Sequence, residues 1–466
     1  MKFTAAGAWP GIHSGDGLLW CDEPDERADS VSPRVKTGPA GTLQAYPSNT
    51  MRVSHQTMRI GYLTSRLPYP PIDGGRIRSY YFLRHLLRNH QVTLYSIASR
   101  VSKDATTYQR PLSGLNQAVF RISKFRYARN AINGLFSEQP LQVRLYRSGE
   151  LAGTLARDVE RGALDVIVVH LVRMAEYARP FKTIPRILDM TDSIHLNYAR
   201  MPRVSLSPHG MAALIERERL LHYESDVASW FDNILLASPL DIAWLQRRNS
   251  ESNMTLIPTG IEISAYPFHE GSYDPNRIIF VGKLDYLPNT DAVLYFAREI
   301  LPLIRRVVPS VKFAVAGWNP PASIQKLAEA PYVKVLANVP DVRPEIAKSA
   351  LSVAPMRFGA GIQVKILESL ALGTPAVATE SVLGAFGTEG KEAILVGRDP
   401  QEFAEKVTHI LEDRAHREQL RRAGRKLIET QFQWDQVLAP LDRILDGIAG
   451  KQLEAKPELS LRGKSF

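Results

Sequence analysis

Between Arg357 and Thr379 the chain reads RFGAGIQVKILESLALGTPAVAT, and its charged residues are spaced for phosphate chemistry. The apolar run Leu351 to Met356 reads as a buried strand. Gly359 and Gly361 then open a turn, and Ile362, Ile366, Leu367, Leu370 and Ala371 fall on one face of a helix. Gly373 and Pro375 end that helix, and Ala376-Val377-Ala378 begins another buried strand. A helix start behind a glycine turn attracts anions, because its first N–H groups lack partners and the helix dipole is positive there. Arg357 before the turn and Lys365 one turn into the helix add cations, and Glu368 lies on a neighbouring part of the same face. Cations beside one carboxylate suit a nucleoside diphosphate: the cations for the phosphates, the carboxylate for the ribose diol. The same residues also fit a plain tight turn and a solvated lysine–glutamate pair. Val364, at the third-glycine position, departs from the dinucleotide fingerprint.

The elements that must carry these residues alternate along the chain. Arg59 to Leu63 reads as a first strand. A proline-rich loop from Thr64 ends in Gly74-Gly75, and a helix over 76–88 leads to the strand 92–96. Strands 165–170, 186–190 and 233–237 follow, with a long helix over 211–230 between the last two. The pattern restarts near Ile257. Strands 277–281, 311–316, 333–336, 351–355, 376–378 and 393–396 alternate with helices, the first of them over 289–308 with Asn289 or Thr290 as its cap. This is an α/β chain of two Rossmann-like domains facing a cleft, with ligands expected beyond the carboxyl ends of the strands. The expected divisions are a disordered extension over 1–57, an acceptor domain over 58–256, a donor domain over 257–435, and a C-terminal helix with a disordered tail over 436–466. Met51 or Met58 as the true start would also explain the extension.

Composition narrows the classes. A chain of 466 residues, 44% hydrophobic and 23% charged, is that of an ordinary soluble protein of two or three domains. One cysteine, Cys21, excludes a disulfide framework and a cysteine metal site, and fits a reducing cytoplasm. No apolar run approaches the roughly 20 residues that span a bilayer, and the first residues lack a signal peptide's apolar core. The net charge of +10 is uneven: Met58 to Glu150 holds 15 Lys/Arg against 4 Asp/Glu. That asymmetry fits an anionic partner or a solvated basic face. An anionic membrane surface and a phosphate-bearing lipid are candidates. Nucleic acid is not expected, because no base-stacking or helix-turn-helix features accompany the charge. The stretch AVFRISKFRYARNAINGL (118–135) mixes aromatics and cations at helical spacing, as a membrane-surface helix would.

The segments VGKLDYLPNTDAV, VPDVRPEIAKSALSVAPMRFGAGIQVKILESLALGTPAVAT and AILVGRDPQEFAEKV, with LPYPPIDGGRIRSYYFLRHL in the first half, together resemble the retaining nucleotide-sugar glycosyltransferases of family 4 (glycosyl transferases group 1). The first-half loop resembles the subset encoded with bacterial exopolysaccharide and exosortase systems. The resemblance implies the GT-B fold and a nucleotide diphosphate sugar as donor, with no further cofactor. It assigns the donor diphosphate to Lys283, beside Gly282, and to Lys365, with Arg357 as a third cation. It assigns the ribose to Glu368, the base to the turn around Val339, and part of the sugar to the backbone of Gly359, Gly361 and Ile362. Gly74 and Gly75 match the first-domain glycine loop, and His170 matches a histidine touching the donor sugar. The family's first glutamate of its Glu-x7-Glu motif falls at Ala360, and Ala337 stands where a glycine is usual.

The reaction expected from this resemblance is metal-independent transfer with retention, to a saccharide or polyprenyl-linked acceptor, in the cytoplasm or on the inner face of its membrane. Neither an Asp-x-Asp element in the cleft loops nor a histidine cluster stands out to hold a divalent ion. Asp189 and Asp192 read as a pair bracing the loop before His195. Two alternatives stay open: a non-catalytic sugar-nucleotide or polysaccharide-binding subunit, which Ala360 favours, and an epimerase or phosphorylase of the same fold.

Overall fold

The computed structural model describes residues 56–71, 73–98, 112–199, 208–358 and 362–455. Of the extension expected over 1–57, residues 1–55 lie outside the described residues, as do residues 456–466 of the expected C-terminal helix and tail. Two parallel sheets organise the chain. The first contains β1 (Arg59–Thr64), β2 (Gln91–Ala98), β3 (Asn116–Arg121), β4 (Val166–His170), β5 (Arg186–Thr191), β6 (Asn233–Leu236) and β7 (Met254–Leu256), in the order β3-β2-β1-β4-β5-β6-β7. The second contains β8 (Asp274–Lys283), β9 (Lys312–Trp318), β10 (Val333–Ala337), β11 (Ser349–Ala354), β12 (Ala376–Ala378) and β13 (Ile394–Val396), in the order β10-β9-β8-β11-β12-β13. Each pairing is parallel. Both orders reverse direction after the first strand, between β1 and β4 and between β8 and β11. A crevice opens there at the carboxyl edge, because successive crossovers leave towards opposite sides. The central strands are buried on both faces, which is why they read as continuous apolar runs such as VIVV and LSVA.

Three local readings change. The stretch 118–135 is not one helix. Asn116–Arg121 pairs with β2 as an edge strand, Ser123 caps the turn by accepting from the Arg126 N–H at 3.2 Å, and the helix runs Lys124–Leu135. The expected helix 289–308 starts at Leu287 and passes through a π-helical turn, Phe296–Ile300, just before Pro302, whose ring lacks an N–H. Asn289 caps nothing; it is buried within the helix and serves another purpose described below.

The C-terminal helix Trp434–Ala455 returns to the first half. Trp434, Val437, Leu438, Leu441, Leu445 and Ile448 join Ile60, Tyr62, Phe82 and Val168 in one apolar cluster. The chain therefore passes between the halves twice. The two passages are tied by the Ile261 N–H donating to the Phe432 carbonyl at 2.7 Å and by Gly260, where a Cβ would press within 2.8 Å of the Trp434 ring. Leu438→Ala removes a fully buried side chain from this cluster. It is expected to cost about 2–5 kcal/mol in urea unfolding, whereas Val307→Ala, on an exposed helix face, stays within about 0.5 kcal/mol.

Candidate active site

The second half supplies the first group. Gly282 and Lys283 end β8, and a Cβ at Gly317 on the neighbouring strand would collide with the Gly282 carbonyl, so these two strand ends need glycine to lie this close. A Cβ at Gly282 would lie 3.6 Å from Lys365 Cε and 3.0 Å from Asn289 Nδ2. The glycine thus admits both side chains to the β8/β11 switch point. Asn289 Nδ2 donates to the Lys283 carbonyl at 2.9 Å, and Lys365 Nζ donates to Asn289 Oδ1 at 2.6 Å. One amide joins the two lysines.

Lys365 is not the mobile surface cation that its helix position suggested. It is 7% exposed, and its ammonium lies 4.5 Å from the centre of the Phe280 ring. Burial lowers its pKa to about 7, against which the Glu368 carboxylate acts only in part. Lys283 stays exposed and pairs with Asp285 at 3.0 Å. Arg357 departs from the expected third cation: its Nε donates to Asp291 Oδ2 at 2.9 Å, and its guanidinium covers the Tyr295 ring at 4.8 Å. Its charge is matched by a carboxylate on the helix after β8, which sequence spacing could not show.

Gly359 and Gly361 lie outside the described residues. Ile362 puts its side chain into the second core. The helix Val364–Ala371 begins without a side-chain cap, as an anion-accepting helix start would. Glu368 accepts from the Tyr266 hydroxyl at 2.9 Å, and burial pushes its pKa up. Val339 and Tyr266 pack against Val281, Ala316, Ile346 and Leu372. The turns beneath are fixed by Asn319 and Asn338, both in left-handed conformation, the Asn319 N–H donating to Asn338 Oδ1 at 2.9 Å. The Val339 turn and Glu368 are therefore connected through Tyr266, a residue no sequence signal placed there, which packs on the same apolar cluster as Val339 and donates to Glu368.

The first half supplies the second group. Gly74 and Gly75 open the helix Gly74–Leu86, whose cap Asp73 accepts from the Arg76 N–H at 3.1 Å. Thr64 and His170 face each other in register at the ends of β1 and β4. His170 is buried, and its Nδ1 lies 2.8 Å from Asp189 Oδ2. Arg78, fully buried, donates to both oxygens of Asp189 at 2.9 and 3.0 Å and to the Pro258 carbonyl at 3.1 Å. Burial alone would raise the Asp189 pKa; Arg78 and His170 outweigh it and hold it down at about 2. An ionised carboxylate only accepts, so the proton sits on Nδ1. His170 Nε2 has no partner among the described residues and looks into a small cavity lined by Thr64, Arg66, Gly75, Arg76 and Ser79. A Cβ at Gly75 would lie 3.9 Å from that nitrogen.

Asp189 thus orients His170, and the expected brace before His195 is instead Glu224. Glu224 accepts from the Ser193 hydroxyl at 2.7 Å and from the Ile194 N–H at 2.8 Å. Asp192 is pushed up to about 6 by burial, and its Oδ1 has no partner among the described residues. Across from it, the Tyr286 phenol is raised by the protein packed around it and by the Asp192 carboxylate. Asp192 follows β5 and Tyr286 follows β8, so the two carboxyl edges approach one another here.

The profile of the family Glycosyl transferases group 1 matches residues 275–413. Over 225 residues the chain is 24% identical to a glycogen synthase of Mycobacterium tuberculosis, covering 44% of this chain and 51% of that one. The chain spans about half the length of the curated relatives it matches. A sucrose-phosphate synthase structure from Thermosynechococcus elongatus has a TM-score of 0.62 at 15% identity, covering 85% of this chain and 99% of that one. The structure of Anabaena HepE in complex with UDP has a TM-score of 0.53 at 14% identity, covering 85% and 100%. At such identities the structural likeness establishes the fold. Residues 275–413 form a glycosyl transferases group 1 domain, set in a chain of two parallel-sheet α/β halves with GT-B neighbours.

Proposed function

We propose that this protein is a retaining glycosyltransferase that moves a sugar from a nucleotide diphosphate sugar to a saccharide or lipid-linked saccharide. The observation that carries this reading is the buried Lys365 ammonium at the β8/β11 switch point, joined through Asn289 to Lys283. A lysine costs free energy in such a place unless an anion meets it. The UDP seen with HepE, a protein of similar fold, is an anion of the matching kind.

In the proposed reaction the diphosphate sits on Lys365, Lys283 and the uncapped main-chain N–H groups near Ile362, with the ribose at Glu368 and the base at the Val339 turn. The bond between the anomeric carbon and the phosphate oxygen breaks, and negative charge grows on the diphosphate. The acceptor oxygen attacks the same face, and its proton passes to the leaving phosphate. Retention follows, and no separate base is required. His170, its ring fixed by Asp189, turns Nε2 towards a sugar hydroxyl. Two lysines and the helix start supply the charge stabilisation, so a divalent ion is not part of the scheme.

The acceptor half also fits a membrane surface. In the helix Lys124–Leu135 the buried residues are Asn130 and Gly134. Asn130 donates to the Arg147 carbonyl at 3.0 Å, and a Cβ at Gly134 would press within 2.7 Å of Leu141. Those contacts turn the Asn130 and Gly134 side inward. Phe125, Ile132 and Phe136, spaced on the opposite face, are 79%, 58% and 87% exposed, with Lys124 and Arg129 beside them. A basic rim around an outward apolar face is the pattern of an interfacial helix on anionic lipid. This supports a cytoplasmic enzyme held on the inner leaflet, where polyprenyl-linked saccharides of exopolysaccharide synthesis are extended. Among the described residues no helix is long and apolar enough to cross a membrane.

Donor binding, turnover, pH dependence and vesicle binding test the proposal. A thermal-shift panel of UDP, GDP, ADP and dTDP sugars should identify the donor, and release of free nucleotide diphosphate on adding acceptor should persist in EDTA. Lys365→Met should lower that turnover about 10²–10³-fold while the melting temperature stays level or rises, because a buried charge is removed. Turnover that survives this change would sink the assignment, and binding without any turnover would favour the binding subunit that Ala360 suggests. Diphosphate affinity should fall about tenfold per pH unit above about 7, because Lys365, with its lowered pKa, is neutral there and must take up a proton to hold the anion. That slope should vanish in Lys365→Met. Neutralising Arg121, Lys124, Arg126 and Arg129 together should abolish sedimentation with phosphatidylglycerol vesicles; undiminished binding would overturn the membrane assignment.

A further inference from the structure

Away from the cleft, the turn joining the helices Pro400–Glu412 and Arg414–Gln431 brings three ligand-type side chains together. His409 lies in the last turn of the first helix, His416 in the first turn of the second, and Asp413 between them. His409 Nε2 and His416 Nδ1 are 2.8 Å apart, and the ring nitrogens and a carboxylate oxygen of Asp413 all lie within 4.8 Å of one another. Asp413 is held in place by the cap geometry, its Oδ1 accepting from the His416 N–H at 2.9 Å and its own N–H donating to the His409 carbonyl at 2.9 Å. The sequence alone does not mark this cluster, because histidines seven apart meet only where the chain doubles back between helices.

We propose that His409, Asp413 and His416 bind one divalent ion of the zinc type. The two imidazole nitrogens, 2.8 Å apart, have room for at most one proton between them, so one nitrogen turns its lone pair to the other's N–H. A metal ion replaces that proton and uses both nitrogens. Two imidazoles with one carboxylate suit zinc, cobalt or nickel, not magnesium or calcium, which prefer oxygen ligands. With metal–nitrogen bonds of about 2.0–2.1 Å in a tetrahedral site, the nitrogens separate to about 3.3 Å. His409 is exposed and free to make that small rotation. Water completes the fourth position.

The location gives the role. The helix Pro400–Glu412 follows β13 at the carboxyl edge and runs back along the sheet for 13 residues, about 20 Å. The three residues therefore sit at the opposite edge from the lysine pair. The ion clamps two helix ends and takes no part in transfer, so this assignment stands apart from the proposed function.

The test uses the untagged full-length chain after chelator treatment. Zinc should raise the melting temperature saturably at one equivalent, and cobalt should give the visible absorption of a four-coordinate ion. His409→Ala and His416→Ala should each remove both signals, and His409→Asn, conservative at an exposed position, should remove them without loss of fold. His222→Ala should keep them, and magnesium should give neither. A wild-type chain whose melting temperature and cobalt spectrum do not change, or a His409→Asn chain that binds as the wild type does, overturns the proposal.

Discussion

The ammonium of Lys365 is buried to 7% exposure against the Phe280 ring, and among the described residues its short hydrogen bond goes to the neutral amide of Asn289. Much of the second half is arranged around that constraint. Gly282 and Gly317 let strand ends approach so closely that a side chain on either would block the lysine or the neighbouring carbonyl. Asn289, inside a helix that needs no such residue for its own stability, spans the gap to Lys283. The cost of the buried charge appears as a pKa lowered to about 7. An anion at this place removes that cost, so ligand binding and local stability are linked through one proton.

The first half solves a related problem differently. Asp189 is also fully buried, but Arg78 and His170 satisfy it, and its carboxyl is held down to about 2. The triad fixes the imidazole and reaches the Pro258 carbonyl at the passage between the halves. The C-terminal helix then closes the same core from behind. The site residues of the first half therefore stand on a framework to which both ends of the described chain contribute.

The repeated strand order explains why so much was legible. A chain that alternates strand and helix, with apolar runs too short for membranes and glycines at strand ends, has few ways to fold, and each sheet reverses its order once. Lys283, Lys365, His170 and Gly75 stand out in the sequence because each lies near a strand end or a glycine turn, and their role in a site is a proposal. Arg357 and the Asp189/Asp192 pair were read less well. Arg357 neighbours the glycine turn in sequence, yet Asp291 takes its charge from 66 residues away. Asp189 and Asp192 are three residues apart, but β5 gives Asp189 to Arg78 and His170, while Asp192 Oδ1 has no hydrogen-bond partner among the described residues.

Local sequence determined the periodic elements, the two-half α/β plan and the glycine-marked turns, since these depend on backbone preferences and on which face of a strand or helix is apolar. Tertiary structure alone decided which charges are matched. It buried Lys365, gave Asp189 to His170, turned the apolar side of the helix Lys124–Leu135 outward and brought His409 to His416. Those outcomes depend on distances between residues far apart in the chain or across a tight turn, and electrostatic and packing energies depend on those distances, not on spacing in sequence.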